Sequence, residues 1–134
     1  MKEYAFRLVN GDDLKLAIEE KCQLLNIDTA IVLSSVGSIS HLNIRLADAI
    51  EYLDEEDDYE ILSLNGTISK GKAHLHISVA DADGTCFGGH LMPGTIINTT
   101  CELVLAILQE YSSNRVFDED TGYNEIVFWE ESND

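Results

Sequence analysis

Apolar and polar positions change rhythm several times along this chain, and each change predicts an element. Residues 4–10, YAFRLVN, read as an opening strand. The polar NGDD that follows stops it and supplies an aspartate cap. Leu14, Ala17, Ile18, Cys22 and Leu25 then recur at helical spacing, which predicts a helix over 13–25. TAIVLSSVGSI (29–39) is a β-branched run and predicts a buried strand. HLNIRLA (41–47) alternates and predicts the next strand, with the acidic segment after it as a loop or short turn. In YEILSLNGTISKGKAHLHISVAD two turns compete. Asn65-Gly66 is a hairpin dipeptide, yet Leu62, Leu64, Gly66 and Ile68 keep a period of two straight through it. That continuity predicts one strand with a glycine inside it and the turn at Lys70-Gly71. Leu75, Ile77 and Val79 form the apolar face of the following strand. TTCELVLAILQEY (99–111) is apolar on both faces from Leu103 to Leu108; β-branched neighbours at 95–100 favour a central strand over a buried helix. RVFDEDTGYNEIVFWE closes the chain as a short hairpin.

The candidate chemistry sits in HLHISVADADGTCFGGH, residues 74–90, which holds three of the four histidines. His74 and His76 are two apart on a strand, so both leave the face opposite Leu75, Ile77 and Val79. Asp81-Ala82-Asp83-Gly84 carries Asp and Gly where a type I turn wants them, with Gly84 fit for the left-handed position of a three-residue hairpin loop. In that register Asp81 pairs with Thr85, Val79 meets Phe87, Ser78 meets Gly88, and His76 lies opposite His90. Cross-strand neighbours on one face are about 5 Å apart. A two-residue loop would instead put His90 on the apolar face beside Ile77. Three imidazoles on one face, with Gly88 and Gly89 leaving room above the neighbouring backbone, form a candidate metal site suited to Zn²⁺ with a fourth position open. Other divalent transition metals share that ligand preference. The plainer alternative is an ordinary polar strand face. Cys86 falls on the same face two pairs from His90, and His41 is read as capping the start of a strand. Glu60 and Glu102, on strands, are candidates to orient a ligand imidazole, and Arg45 could hold a bound anion. No P-loop and no nucleophile turn is present, so no catalytic residue is assigned.

Composition narrows the field. At 134 residues with 45% hydrophobic content and one proline, the chain is expected to be one domain over 1–134 with a real core. No apolar run reaches bilayer length and the N-terminus lacks the pattern of a signal peptide, so a cytoplasmic protein is expected. The three cysteines, odd in number and widely spaced, are expected to be reduced. Eight Lys plus Arg stand against 25 Asp plus Glu, a net charge of −17. Eight acids lie in 48–60 and seven in 118–134. Such a surface repels phosphate backbones and disfavours autonomous DNA binding; it leaves solubility, or docking of a basic protein partner, as its use.

FRLVNGDDL, VGSISHLNIRLAD, YEILSLNGTIS and HLHISVADADGTCFGGHLMPG together resemble the plants-and-prokaryotes-conserved (PPC) domain, which in plants accompanies AT-hook motifs. YEILSLNGTIS is similar to the plant segment Gly-Arg-Phe-Glu-Ile-Leu, without its Gly-Arg part: Asp57 and Asp58 stand before Tyr59. HLH followed by GGHL is similar to the bacterial and archaeal branch, where the histidines go with a bound metal. The resemblance implies an α/β fold of the α+β type, a helix on a mixed, mostly antiparallel sheet, and a homotrimer. Members of that branch are often described as DNA-binding by analogy with the plant proteins, although this chain has no Arg-Gly-Arg core. The expectation is therefore a trimeric zinc-binding protein with an assembly or regulatory role. The alternative is a zinc-dependent enzyme acting on a small molecule.

Overall fold

The helix predicted over 13–25 forms as α1, Leu14–Leu24, because Asp13 caps it: its carboxylate accepts the Leu16 amide at 3.1 Å. Leu14, Ile18 and Cys22 face inward and are fully buried, while Leu25 lies beyond the helix and is exposed. In the computed structural model, which describes residues 2–132, this helix packs on one mostly antiparallel sheet. The strands are β1 (Lys2–Val9), β2 (Thr29–Arg45), β3 (Tyr52–Ser69), β4 (Lys72–Ala80), β5 (Cys86–Leu91) and β6 (Ile96–Ile107). Their order is β1-β6-β2-β3-β4-β5, and β2 also pairs with β5. Every ladder among the described residues is antiparallel, so the parallel component of a mixed sheet is not found. The remaining hairpin, β7 (Tyr111–Asp118) with β8 (Tyr123–Glu130), forms a separate two-stranded sheet.

The β2–β5 pairing closes a ring. Near its C-terminal end β2 holds β3 on one edge and, at Ile44 and Arg45, β5 on the other. Closure buries Leu42, Ile44, Leu75, Val79 and Leu91 together with Ile97, Leu103 and Leu105 of β6. The alternation of β4, with Ala73, Leu75, Ile77 and Val79 buried between outward side chains, follows its hydrophobic pattern directly.

Three local expectations need correction. Residues 29–45 are one continuous strand, bulged between Ile39 and His41, so His41 caps nothing; it lies inside β2 and pairs with Asp54. The acidic segment is not all loop. Asp54, Glu55 and Glu56 belong to β3 and pair with Asn43, Leu42 and His41, because that stretch can leave its carboxylates in solvent while its backbone completes the β2 ladder. The period of two through 62–68 is also not unbroken. A bulge between Ile61 and Ser63 turns Leu62 out, 53% exposed, and shifts the buried set from Tyr59 and Ile61 to Leu64 and Ile68. The single strand through Gly66 and the turn at Lys70-Gly71 are as expected.

One buried carboxylate ties the helix to the strand that carries the histidines. Glu19 accepts the Ala73 amide at 2.8 Å and pairs with Lys15 at 3.0 Å. Glu19→Ala would leave that buried amide unpaired, so it is expected to cost about 1–3 kcal/mol. Urea unfolding checks this, with Glu19→Gln, which keeps an acceptor, recovering part of the loss.

Candidate metal centre

The loop 81–85 closes as its residues dictate. The Asp81 amide donates to the Thr85 carbonyl, the Gly84 amide donates to the Asp81 carbonyl, and Gly84 takes a φ of +78°. The Asp81 carboxylate accepts the amides of Asp83 and Thr85, each at 2.9 Å. From that loop the register runs Val79 to Phe87, Ser78 to Gly88, Ile77 to Gly89 and His76 to His90. Phe87 and Leu91 lie on the core side, as the alternation requires.

His74, His76 and His90 therefore share one face. Ring centroids are 5.4 Å apart for His74–His76, 5.2 Å for His74–His90 and 5.8 Å for His76–His90. One ring nitrogen from each lies within 4.8 Å of the others. Partial burial, then the positive charge of Arg45, pushes His90 down to about 4. His74 is lowered by its partial burial and by Arg115. Both imidazoles are thus unprotonated near neutrality, the form that ligates metal. Nδ1 of His90 is buried and has no hydrogen-bond partner. An imidazole atom left without a partner beside two converging rings fits a divalent metal.

A lowered folded-state value has a consequence for stability. Between about pH 6.5 and 4 the unfolded chain takes up a proton that folded His90 refuses. The metal-free protein is expected to lose stability as pH falls through that window and to hold it above pH 6.5. Urea midpoints at matched ionic strength check this; a flat profile would contradict the neutral, partly buried imidazole.

The other residues singled out by sequence divide. Arg45 pairs with His90 across β2 and β5, placing its guanidinium beside the histidines. At Gly89 β5 lies close against β2: a Cβ there would lie 2.7 Å from the Arg45 carbonyl oxygen. Glu60 pairs with Ala80 and Ser38, and lines a depression with Asp58 and Asp81, away from the histidines. Glu102 pairs with Arg7 and Val36. Neither carboxylate is brought to the cluster. Cys86 is exposed, and its thiol donates to the Gly84 carbonyl at 3.6 Å. Burial pushes the thiols of Cys22 and Cys101 up, to about 11 and about 12, so both stay protonated.

Sequence reasoning missed the far side of the site. A cavity of about 320 Å³ is bounded by Arg45, His74 and His90 from the ring, and by Arg115, Tyr123 and Glu125 from the β7–β8 hairpin. A hydroxyl cluster docks that hairpin: Ser113 Oγ bonds Thr29 Oγ1 at 2.6 Å and Ser69 Oγ at 2.7 Å, all buried. The Arg115 guanidinium donates to Thr67 Oγ1 at 3.5 Å. The hairpin itself was legible, but no local pattern said where it would dock. Among the described residues no helix is long and apolar enough to cross a membrane.

The chain has relatives of known sequence and structure. The chain is 43% identical over 126 residues to the bifunctional protein GlmU of Synechococcus sp. strain JA-3-3Ab, a match covering 94% of this chain and 20% of that protein. It thus spans about a fifth of the curated relative's length. A hypothetical protein from Salmonella cholerae-suis superposes with a TM-score of 0.93 at 30% identity, over 98% of this chain and 95% of the other. A metal-containing protein from Archaeoglobus fulgidus does so with a TM-score of 0.77 at 30% identity, over 95% and 94%. Residues 1–109 match the model of the Plants and Prokaryotes Conserved (PCC) domain, the family also abbreviated PPC, and the helix on a mostly antiparallel sheet is the fold expected of it. The chain belongs to the Plants and Prokaryotes Conserved domain family.

Proposed function

We propose that this chain is a cytoplasmic metal-binding member of its family that acts as a homotrimer, in assembly or regulation through protein contacts, with a zinc ion held by His74, His76 and His90. The observation that carries the metal is the convergence of three imidazole nitrogens within 4.8 Å. Three histidines with an open fourth position suit zinc, and the likeness to a metal-containing archaeal protein supports a bound metal without naming which. When bound, zinc supplies a Lewis acid that polarises an oxygen ligand. The chain's residues hold it, and the ring of β2 to β5 keeps their separation.

Self-association has its own support. Val116 and Val127 are exposed on one face of the β7–β8 hairpin, and Phe117 and Phe128 on the other. Covering either face with another copy would remove apolar area from water. The charge of −17 argues against autonomous DNA binding and suits a basic protein partner. Light scattering of tag-free protein with metal analysis is the test. A trimer mass with about one zinc per chain is expected; a monomer at micromolar concentration would overturn the assembly reading.

A second reading, a metal-dependent enzyme acting on a small molecule, draws on one observation. Glu125 is the acid among the residues bounding the cavity over His74 and His90, where a carboxylate could move a proton. Hydrolysis of ester or amide substrates lost in Glu125→Gln, with zinc content unchanged, would select it.

A further inference from the structure

The chain has three arginines, and two of them, Arg45 and Arg115, bound the same cavity as His74 and His90. They come from unrelated places. Arg45 ends β2, and Arg115 lies on the hairpin outside the 1–109 family match. With 25 acidic residues available, pairing each arginine with a carboxylate would be simple. Yet among the described residues the salt bridges are Lys15–Glu19, His41–Asp54 and Lys70–Asp28, and neither arginine takes part in one.

Their hydrogen bonds are equally sparse. Nε of Arg45 is buried without an acceptor, and it is one of two orphaned buried side-chain atoms at this site, the other being Nδ1 of His90. The Arg115 guanidinium makes long contacts, 3.4 Å to the Asn124 carbonyl and 3.5 Å to Thr67 Oγ1. By contrast Arg7, at the far end of the sheet, donates to Thr100 Oγ1 at 2.8 Å. A buried unpaired guanidinium N–H costs about 1–3 kcal/mol. Such a cost is explained when an outside group supplies the acceptor.

We infer that the cavity between the histidine cluster and the β7–β8 hairpin binds a small molecule through an oxyanion, carboxylate or phosphate, clamped by the guanidinium groups of Arg45 and Arg115. Planar guanidinium forks match both oxyanions in geometry. The two arginines against Glu125 leave the lining positive within a chain of net charge −17. The cavity, about 320 Å³, is at the small end of metabolite sites. Tyr123 lies at its rim, exposed, where a hydroxyl can reach the rest of the molecule. The inference deepens the metal-centre reading by giving the same cavity a ligand, and it fails or stands separately from the zinc.

Three arginines give three side-chain Nε–Hε signals in an NMR spectrum of ¹⁵N-labelled protein, so the test is direct. Inorganic phosphate and acetate are titrated separately, at constant ionic strength, into zinc-loaded and metal-free protein whose zinc content is measured in parallel. The expected result is saturable movement of the Arg45 and Arg115 signals with Arg7 still. Response to phosphate alone or acetate alone supports the clamp and identifies the oxyanion class. Arg115→Gln is expected to weaken the effect about tenfold or more, with zinc content unchanged and Arg7→Gln as the neutral control. No movement in zinc-loaded protein, or parallel unsaturable drift of all three signals, would overturn the inference while leaving the zinc reading intact. The same holds if Arg45 and Arg115 are already taken up by carboxylates of a second copy, because their signals would then ignore both anions. Saturable movement in a protein that never binds zinc would sink the metal reading alone.

Discussion

Alanine at His76 is expected to reduce zinc from about one per chain to near none after dialysis, with the fold unchanged. The reasoning is geometric. His76 lies at the centre of the cluster by register, two residues from His74 on β4 and directly opposite His90 on β5. Removing it leaves a diagonal pair. Loss of an orienting partner behind a ligand typically costs 10–100-fold in metal affinity, so loss of a ligand itself should cost about 100-fold or more. Because His76 is exposed on the outer face of β4, the core beneath it is untouched. Unfolding of the two metal-free proteins should therefore coincide within about 0.5 kcal/mol. Metal analysis together with urea unfolding decides it. Retention of zinc by His76→Ala would mean that the three imidazoles do not act together, whereas His41→Ala, on a different stretch of sheet, should keep its zinc.

The largest effect on folding is expected from Gly66→Ala. Gly66 has a φ of +145°, which L side chains rarely adopt, and a Cβ there would collide with the His74 carbonyl oxygen and approach the Leu75 Cα to 2.9 Å. Both neighbours are backbone, so nothing flexible can give way. Strain of this kind costs about 1–3 kcal/mol, and forcing β3 away from β4 adds a packing loss of similar size. Against a typical total of about 5–15 kcal/mol, the variant is expected to be marginal or unfolded at 37 °C. Thermal unfolding by circular dichroism measures this. Any Gly66→Ala protein that still folds should also bind zinc more weakly than wild type, since the displaced segment carries His74. A melting temperature within a few degrees of wild type would refute the close approach.

Gly66 also shows how far local pattern goes. Asn65-Gly66 carries a hairpin dipeptide, but it lies in mid-strand opposite His76 and Leu75. The hydrophobic alternation outweighed the turn propensity because burial of Leu64 and Ile68 is worth more than a turn preference. The same alternation misread Leu62, since a bulge inserts one residue without any compositional mark. The acidic segment after residues 41–47 reads as a loop or short turn, because a run of charges carries no apolar alternation. Charge does not argue against a strand whose side chains remain in solvent, as those of Asp54, Glu55 and Glu56 do.

What the sequence by itself determined is the part of the site that short-range chemistry controls. Asp81 and Gly84 specify one loop, the loop specifies one register, and a period of two puts His74, His76 and His90 on a common face. None of those steps needs a residue more than a few positions away along the hairpin. The tertiary structure alone decided what surrounds them. Arg45 reaches His90 because β2 is long enough to leave β6 and pair with β5, closing a ring that no local pattern announces. Arg115 and Glu125 reach the cavity because Thr29, Ser69 and Ser113 join three distant strands through buried hydroxyls. Such contacts form only when the whole core is packed, since an unpaired buried hydroxyl is costly and any other docking of the hairpin would part Ser69 and Ser113, whereas Thr29 keeps its bond to Asp28.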